Sequence, residues 1–240
     1  MATKKKLSSL SVFFPAYNEE ENIALALERA VSVVSKITTD YEIMVVDDGS
    51  RDKTSDIVKG YIKTNPKIRL IQHGKNRGYG AALKTGFENS GKELIFYTDS
   101  DLQFNLAEIS RLLKFIDDYD LVIGYRIKRK DPFMRLIAAS VYKNLVRLIL
   151  GLKVKDPDCA FKLCRKAVID KIKPFQGTRG ADVELLVKAI HYGFRIKEVG
   201  VEHLPRLKGK SEATTFLNVI RPKIVYLLLR EALNLRRFKN

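Results

Sequence analysis

The chain of 240 residues contains few cysteines and histidines, the side chains that form disulfides or bind zinc in small proteins. Its two cysteines, Cys159 and Cys164, are too few for a disulfide framework and are badly spaced for a zinc site without further ligands. We therefore expect both to be reduced core residues of a cytosolic protein. The three histidines, His73, His191 and His203, are scattered, and we assign none of them a catalytic role.

Long apolar runs are also missing. No stretch approaches the roughly 20 apolar residues that a membrane-spanning helix needs. Residues 1–6 are basic, but residues 7–15 are too short and too polar to be the apolar core of a signal peptide. We therefore expect a protein that is neither exported nor membrane-spanning. A hydrophobic content of 45% with 30% charged residues predicts a globular chain, and we expect residues 1–240 to form one domain.

The first half of the chain has no excess of positive charge. The whole excess lies in the second half. Residues 1–120 hold 17 Lys and Arg against 18 Asp and Glu, whereas residues 121–240 hold 27 against 10. The net charge of +16 therefore comes from the second half. Such asymmetry indicates that the second half of the chain binds a polyanionic partner. This partner would be nucleic acid, an anionic membrane surface or a phosphorylated substrate.

Strand and helix signals alternate along the first half. Apolar strand patterns occupy 10–14, 42–46, 68–71, 94–98 and 121–124, and helix patterns run from Asn18 to Val34 and over 54–62, 78–89 and 107–116. This alternation predicts an α/β fold with a mostly parallel sheet and helices on both faces. The second half, from about residue 126, predicts amphipathic helices over 133–150 and 216–238, a helix over 182–191, and strands at 161–163 and 194–199.

Polar residues follow four of the predicted strands, where ligands of such sheets bind. They are Tyr17-Asn18, Asp47-Asp48, Asp99-Ser100-Asp101 and Tyr125-Arg126. The third group is the most informative, because two carboxylates on one turn, with Gln103 nearby, can hold a divalent cation that in turn holds a phosphate. An Asx-rich turn that caps the following helix is the alternative interpretation.

Six segments in order resemble one enzyme family. They are Pro15-Ala16-Tyr17-Asn18-Glu19, Val45-Val46-Asp47-Asp48-Gly49-Ser50, Asn76-Arg77-Gly78-Tyr79-Gly80, Thr98-Asp99-Ser100-Asp101-Leu102-Gln103, Ile123-Gly124-Tyr125-Arg126, and residues 156–165. Together they resemble the family-2 glycosyltransferases of GT-A fold, and most closely the dolichyl-phosphate or polyprenyl-phosphate sugar synthases. A weaker similarity continues through 183–186 and 206–211.

The resemblance implies a role for each matching residue. Asp99, Asp101 and Gln103 would hold Mg²⁺ or Mn²⁺ on the donor diphosphate, and Asp48 would bind the base or ribose of the nucleotide. The donor site would also include Pro15, Tyr17, Glu19, Val46 and Ser100, and the phosphate-binding cations would be Arg126, Arg135 and Arg206. Asp101, Arg126 and Glu184 would form the catalytic set, in which Glu184 acts either as a general base or as the residue that orients a cation.

The implied reaction is inverting, metal-dependent transfer of a hexose, mannose or glucose, from GDP-mannose or UDP-glucose to dolichyl or polyprenyl phosphate. The protein would lie peripherally at the cytoplasmic face of a membrane, held by its basic amphipathic helices, and a separate membrane subunit would be a further anchor. The second hypothesis is a glycosyltransferase with a hydroxyl acceptor, which requires a general base such as Glu184 or Asp182. A nucleic-acid-binding protein is the third, but the acidic strand ends would repel phosphates.

Overall fold

A computed structural model describes residues 9–127 and 140–206, except 142, 145, 149, 174 and 176–179, together with residue 208. The strands are β1 Leu10–Ala16, β2 Tyr41–Asp47, β3 Ile68–Gln72, β4 Leu94–Thr98, β5 Leu121–Ile127, β6 Phe161–Arg165 and β7 Ile196–Glu202. The helices are α1 Ile23–Val34, α2 Thr54–Thr64, α3 Tyr79–Asn89, the 3₁₀ helix η1 Leu106–Glu108, α4 Ile109–Leu113, α5 within 140–150, α6 Lys166–Ile172 and α7 Ala181–His191. Arg135, much of the predicted 133–150 helix and the predicted 216–238 helix lie outside the described residues.

The seven strands form one sheet in the order β3-β2-β1-β4-β6-β5-β7. Every neighbouring pair is parallel except those of β6, which runs antiparallel to both β4 and β5. Strands β1, β2 and β4 are buried along their whole length, as expected of parallel strands covered on both faces. The prediction of a mostly parallel α/β sheet with helices is confirmed.

The start of α1 differs from the sequence prediction. We expected Asn18 to cap the helix, but α1 begins at Ile23 after Asn22. Asn18 instead adopts a left-handed backbone with φ of 54°. Its N–H donates to Ser50 Oγ at 2.9 Å, and its Oδ1 accepts from the Arg51 N–H at 2.9 Å. The turn after β1 is therefore tied to the turn after β2, and this long-range pairing overrides the local capping signal.

The predicted helix over 107–116 is also shorter than expected. Asn105 Oδ1 accepts from the Ala107 N–H at 3.1 Å and opens η1, which continues into α4 and ends at Leu113. Among the described residues, no helix combines the length and apolar character required to cross a bilayer. Both cysteines are buried and free, as predicted.

Aromatic side chains fill the core under the sheet edge that carries the polar turns. The Phe13 ring stacks on Tyr97 at 5.4 Å between centroids and meets the edge of Phe87 at 5.1 Å. Gly86 on α3 is required for this packing, because a Cβ atom there would overlap the Phe13 ring.

Substitution of Gly86 by alanine should therefore lower the free energy of unfolding by about 1–3 kcal/mol through overpacking. The matched control is Gly60→Ala in α2, where no atom lies within 4 Å of the added Cβ and stability should rise by about 0.4–1 kcal/mol. Urea unfolding of both variants measures the difference. Equal stability of the two variants would contradict this account of the core.

Candidate active site

The turn after β4 places two carboxylates at the carboxyl edge of the sheet. Ser100 Oγ donates to the Pro15 carbonyl at 3.1 Å, which fixes this turn against β1. Asp101 Oδ1 accepts from the Gln103 N–H at 3.1 Å. Leu102 adopts a φ of 63°, a left-handed value that is strained for a branched side chain and marks a sharply bent segment.

The surroundings of Asp99 disfavour the ionised form of its carboxyl group. Burial, followed by the charges of Asp101 and Asp182, raises the pKa of Asp99 to about 8, although a hydrogen bond from Tyr79 opposes the shift. Like charges held together in a confined space favour binding of a cation between them. The donor set, two carboxylates with a neutral amide oxygen from Gln103, suits a hard divalent ion.

Gln103 is oriented by the chain segment that follows β7. Its Nε2 donates to the Leu204 carbonyl at 3.2 Å, and the Leu204 N–H donates to the Gln103 carbonyl at 2.8 Å. Within the described part of the chain, no group of three or more His, Cys, Asp or Glu side chains could hold a metal ion. The cation ligands predicted from the sequence at this turn are Asp99, Asp101 and Gln103.

Arg206 joins the turn of Asp99 and Asp101 to the first polar turn. Its Nη2 lies 2.7 Å from Glu19 Oε1, and its Nη1 lies 3.5 Å from Asp101 Oδ2. Asn22 Nδ2 also donates to Glu19 at 2.7 Å. Burial raises the pKa of Glu19, with these hydrogen bonds and the Arg206 charge opposing it. The structure thus brings together three of the predicted site residues at one point.

Asp48 forms hydrogen bonds with the loop of residues 73–78. Its Oδ1 lies 2.6 Å from His73 Nδ1 and accepts from the Arg77 N–H at 2.9 Å, while its Oδ2 accepts from the Gly78 N–H at 2.7 Å. The backbone of the same loop passes so close to Gly49 that a Cβ there would lie 2.7 Å from the Asn76 nitrogen. Asp48 therefore holds the 73–78 loop in place.

Arg126 is paired with an acid that the sequence analysis did not single out. Its Nε and Nη2 donate to the two oxygens of Asp156 at 2.6 and 2.7 Å. Although burial works against it, this bidentate pair raises the pKa of Arg126 above its ordinary value. The guanidinium is therefore held near the end of β5 by two hydrogen bonds to one carboxylate. The only sequence signal for Asp156 was its place in the last of the six matching segments.

Asp158 also went unassigned in the sequence analysis. The Asp158 side chain is exposed. Desolvation by the surrounding protein, and secondly the charge of Asp182, nevertheless raise the pKa of Asp158 to about 7. Tyr79 is 39% exposed, yet the surrounding protein, and then the charges of Asp99, Asp182 and Asp158, hold the pKa of Tyr79 well above its ordinary value. Asp158 is thus an accessible acid close to the Tyr79 and Asp99 pair.

A buried charge cluster lies behind the turn of Asp99 and Asp101. Lys162 Nζ contacts Asp182 and donates to the Cys159 carbonyl at 2.6 Å, and the Tyr97 hydroxyl donates to Asp182. Tyr97 and Lys162 are register partners across β4 and β6. Asp182 occupies the first turn of α7, where the helix dipole favours a negative charge. The cluster therefore fixes α7 against the two strands that carry the site.

Three further predicted residues have different surroundings. Glu184 is 1% exposed and lies 2.7 Å from Lys188, which favours its orienting role over a general base that must touch an acceptor. Val46 is fully buried in β2, and its place in the donor site stays a prediction. Tyr17 is half-buried beside the site.

Comparison with solved structures defines the fold class of the chain. The solved structure of glucosyl-3-phosphoglycerate synthase from Mycobacterium tuberculosis, in complex with Mn²⁺, UDP and phosphoglyceric acid, superposes with a TM-score of 0.71 at 18% identity. The match covers 93% of this chain and 78% of that one. The same enzyme with Mg²⁺ and UDP gives a TM-score of 0.70. The fold is therefore GT-A.

The family follows from the sequence relatives. The glycosyl transferase family 2 profile matches residues 11–173, and the chain belongs to that family. It is 30% identical to the undecaprenyl-phosphate 4-deoxy-4-formamido-L-arabinose transferase of Photorhabdus laumondii, over 87% of this chain and 64% of that protein. It is 29% identical to the dodecaprenyl-phosphate galacturonate synthase of Rhizobium johnstonii, over 85% of this chain and 61% of that protein. The chain thus spans somewhat less than two thirds of the length of these relatives.

Proposed function

We propose that the protein transfers a sugar from a nucleoside diphosphate sugar to a polyprenyl phosphate. The observation that carries this proposal is the turn of Asp99 and Asp101, an acid pair suited to a cation, set between two arginines, Arg206 and Arg126. A diphosphate donor and a phosphate acceptor both need such cations. The relatives named above act on undecaprenyl and dodecaprenyl phosphate, which supports a lipid phosphate as the acceptor.

The chemistry would be an in-line displacement. The acceptor phosphate is already anionic near neutral pH, so its oxygen can attack the anomeric carbon without a strong base, and the nucleoside diphosphate leaves from the opposite face with inversion. A divalent cation, Mg²⁺ or Mn²⁺, held by Asp99, Asp101 and Gln103 would neutralise the leaving diphosphate. Arg126 and Arg206 would bind and orient phosphate oxygens, so positioning and charge stabilisation supply most of the rate.

The sugar is the finer part of the proposal. The family resemblance implies a hexose, mannose or glucose, whereas the two relatives carry a formamido-arabinose and a galacturonate by name. We retain glucose and mannose as the expected sugars. A donor panel must nevertheless include a pentose and a uronic acid, because the described site contains no residue whose contacts distinguish them.

Contact with a membrane surface is supported by α5. Val146 and Leu150 pack inward, whereas Val141 is 61% and Leu148 is 84% exposed, with Arg147 exposed beside them. Exposed apolar and basic side chains on one short helix are typical of an interface with anionic lipid. We propose a peripheral position at the cytoplasmic face, with a separate anchoring subunit as a further partner.

The test is an assay with labelled donors and undecaprenyl or dolichyl phosphate in the presence of Mg²⁺ or Mn²⁺. We expect a labelled product that extracts into organic solvent and whose formation stops on chelation of the metal. The control replaces the lipid phosphate with the corresponding polyprenol, which should give no product. Transfer only to a saccharide or to the polyprenol would instead establish a hydroxyl acceptor and overturn the proposal.

A further inference from the structure

Two side chains around the first residue of α2 hold the backbone of the turn after β1. Thr54 Oγ1 accepts from the Glu19 N–H at 2.9 Å, and Asp52 Oδ2 accepts from the Glu20 N–H at 3.0 Å. The Thr54 hydroxyl donates to Asp52 Oδ1 at 2.5 Å, which leaves the Thr54 oxygen as the acceptor for Glu19. Thr54 is fully buried. Neither Thr54 nor Asp52 belongs to the site predicted from the sequence.

Glu19 is fixed at its backbone as well as at its carboxylate. Its carbonyl accepts from the Asn22 and Ile23 N–H groups at 3.0 and 2.9 Å, at the start of α1. Its Oε2 accepts from Asn22 Nδ2 at 2.7 Å, and its Oε1 lies 2.7 Å from Arg206 Nη2. Because Thr54 holds the N–H of Glu19, α2 helps to set the point from which this side chain reaches Arg206.

Arg206 takes its position mainly from Glu19. Its Nη1 lies 3.5 Å from Asp101 Oδ2, which is long for a hydrogen bond, whereas its Nη2 lies 2.7 Å from Glu19 Oε1. Its Nε donates to the Lys208 carbonyl at 2.8 Å. A planar guanidinium held by a fixed acid is already oriented, so less conformational freedom is lost when it binds a phosphate.

We propose that Thr54 is a positioning residue for Arg206. Through the Glu19 backbone, the Thr54 hydroxyl holds the carboxylate that orients the guanidinium beside Asp101. The inference rests on the proposed function, because that function supplies the phosphate that Arg206 would bind. It adds α2, a helix that carries no residue of the predicted site, to the elements on which sugar transfer depends.

The experiment is a double-mutant cycle in the transfer assay on the full chain, with Thr54→Val and Arg206→Ala made separately and together. Thr54→Val keeps the shape of the side chain and removes the acceptor of the Glu19 N–H. It should lower kcat/KM about tenfold, because a misplaced binding group can cost up to about 10²-fold. In the Arg206→Ala background the same substitution should lower kcat/KM less than about twofold. Thr54→Ser keeps the hydroxyl and should restore most of the wild-type value.

Two further variants complete the cycle. Thr64→Val is the matched control, since Thr64 lies at the exposed end of the same helix, where its hydroxyl donates to the Tyr61 carbonyl at 3.1 Å, and the rate should not change. Arg206→Lys replaces Arg206→Ala if the alanine variant is too slow to measure, because lysine keeps the charge without the planar guanidinium.

A second substitution covers the case in which Thr54→Val folds poorly. Glu19→Gln keeps the N–H that Thr54 accepts and weakens only the pair with Arg206, so it should lower kcat/KM in the wild type but not in the Arg206→Ala background. Equal losses in both backgrounds, or wild-type kcat/KM in either variant, would overturn the inference and leave the proposed function intact. A wild-type chain that is inactive across the donor panel would overturn both.

Discussion

Replacing Asp101 by alanine should lower the rate of the proposed metal-dependent sugar transfer by about 10³-fold, because loss of this proposed ligand to the cation would remove several kcal/mol of charge stabilisation from the leaving diphosphate. Asp101 also lies 3.5 Å from Arg206, and the substitution leaves Arg206 its closer ion pair with Glu19. The effect should fall on kcat and on metal affinity together. Initial rates over a range of Mn²⁺ concentrations measure both.

Two controls separate chemistry from folding. Asp101→Asn keeps an oxygen that can accept from the Gln103 N–H, and thereby the shape of the turn, but it removes the charge and should be nearly as inactive as alanine. Asp56→Ala removes an exposed acid of α2 that pairs with Lys59 and should leave the rate unchanged. An Asp101→Ala enzyme that kept roughly a tenth of the wild-type rate at saturating metal would refute the assigned role.

Asp182→Ala should produce the largest loss of stability. Removal of the carboxylate leaves Lys162, which is 1% exposed, as a buried charge that keeps, within the described part of the chain, one hydrogen bond, to the Cys159 carbonyl. Breaking a buried ion pair in this way costs about 3–5 kcal/mol. The Tyr97 hydroxyl loses its acceptor as well. Urea unfolding should therefore show a midpoint far below that of the wild type.

The control pair lies on the surface. Asp170 contacts Lys166 at 2.9 Å and Lys173 at 3.1 Å on exposed α6, and Asp170→Ala should cost only about 0–1 kcal/mol. Replacing both buried charges, with Lys162→Met and Asp182→Leu together, should recover part of the loss because no unpaired charge remains. If Asp182→Ala were no less stable than Asp170→Ala, the cluster would not fix α7 to the strands as proposed.

Much of the parallel part of the fold could be predicted from local pattern. Strands β1, β2 and β4 are short apolar runs bounded by polar turns, and the structure places all three within two residues of the predicted bounds. The acidic turns were found for the same reason, since each follows a strand directly. The start of α1 was mispredicted because Asn18 bonds to Ser50 and Arg51, more than 30 residues away.

The same distinction between local sequence pattern and long-range contacts applies to the site. The sequence by itself determined which residues stand at the ends of the strands, because alternation of strand and helix places successive carboxyl ends on one edge of the sheet. It could not determine how those residues pair. Only the tertiary structure decided that Arg126 meets Asp156, that His73 and Asp48 share a hydrogen bond, and that Lys162 and Asp182 form a buried pair. These contacts depend on the antiparallel insertion of β6 and on close loop packing, and neither leaves a periodic signal in the chain.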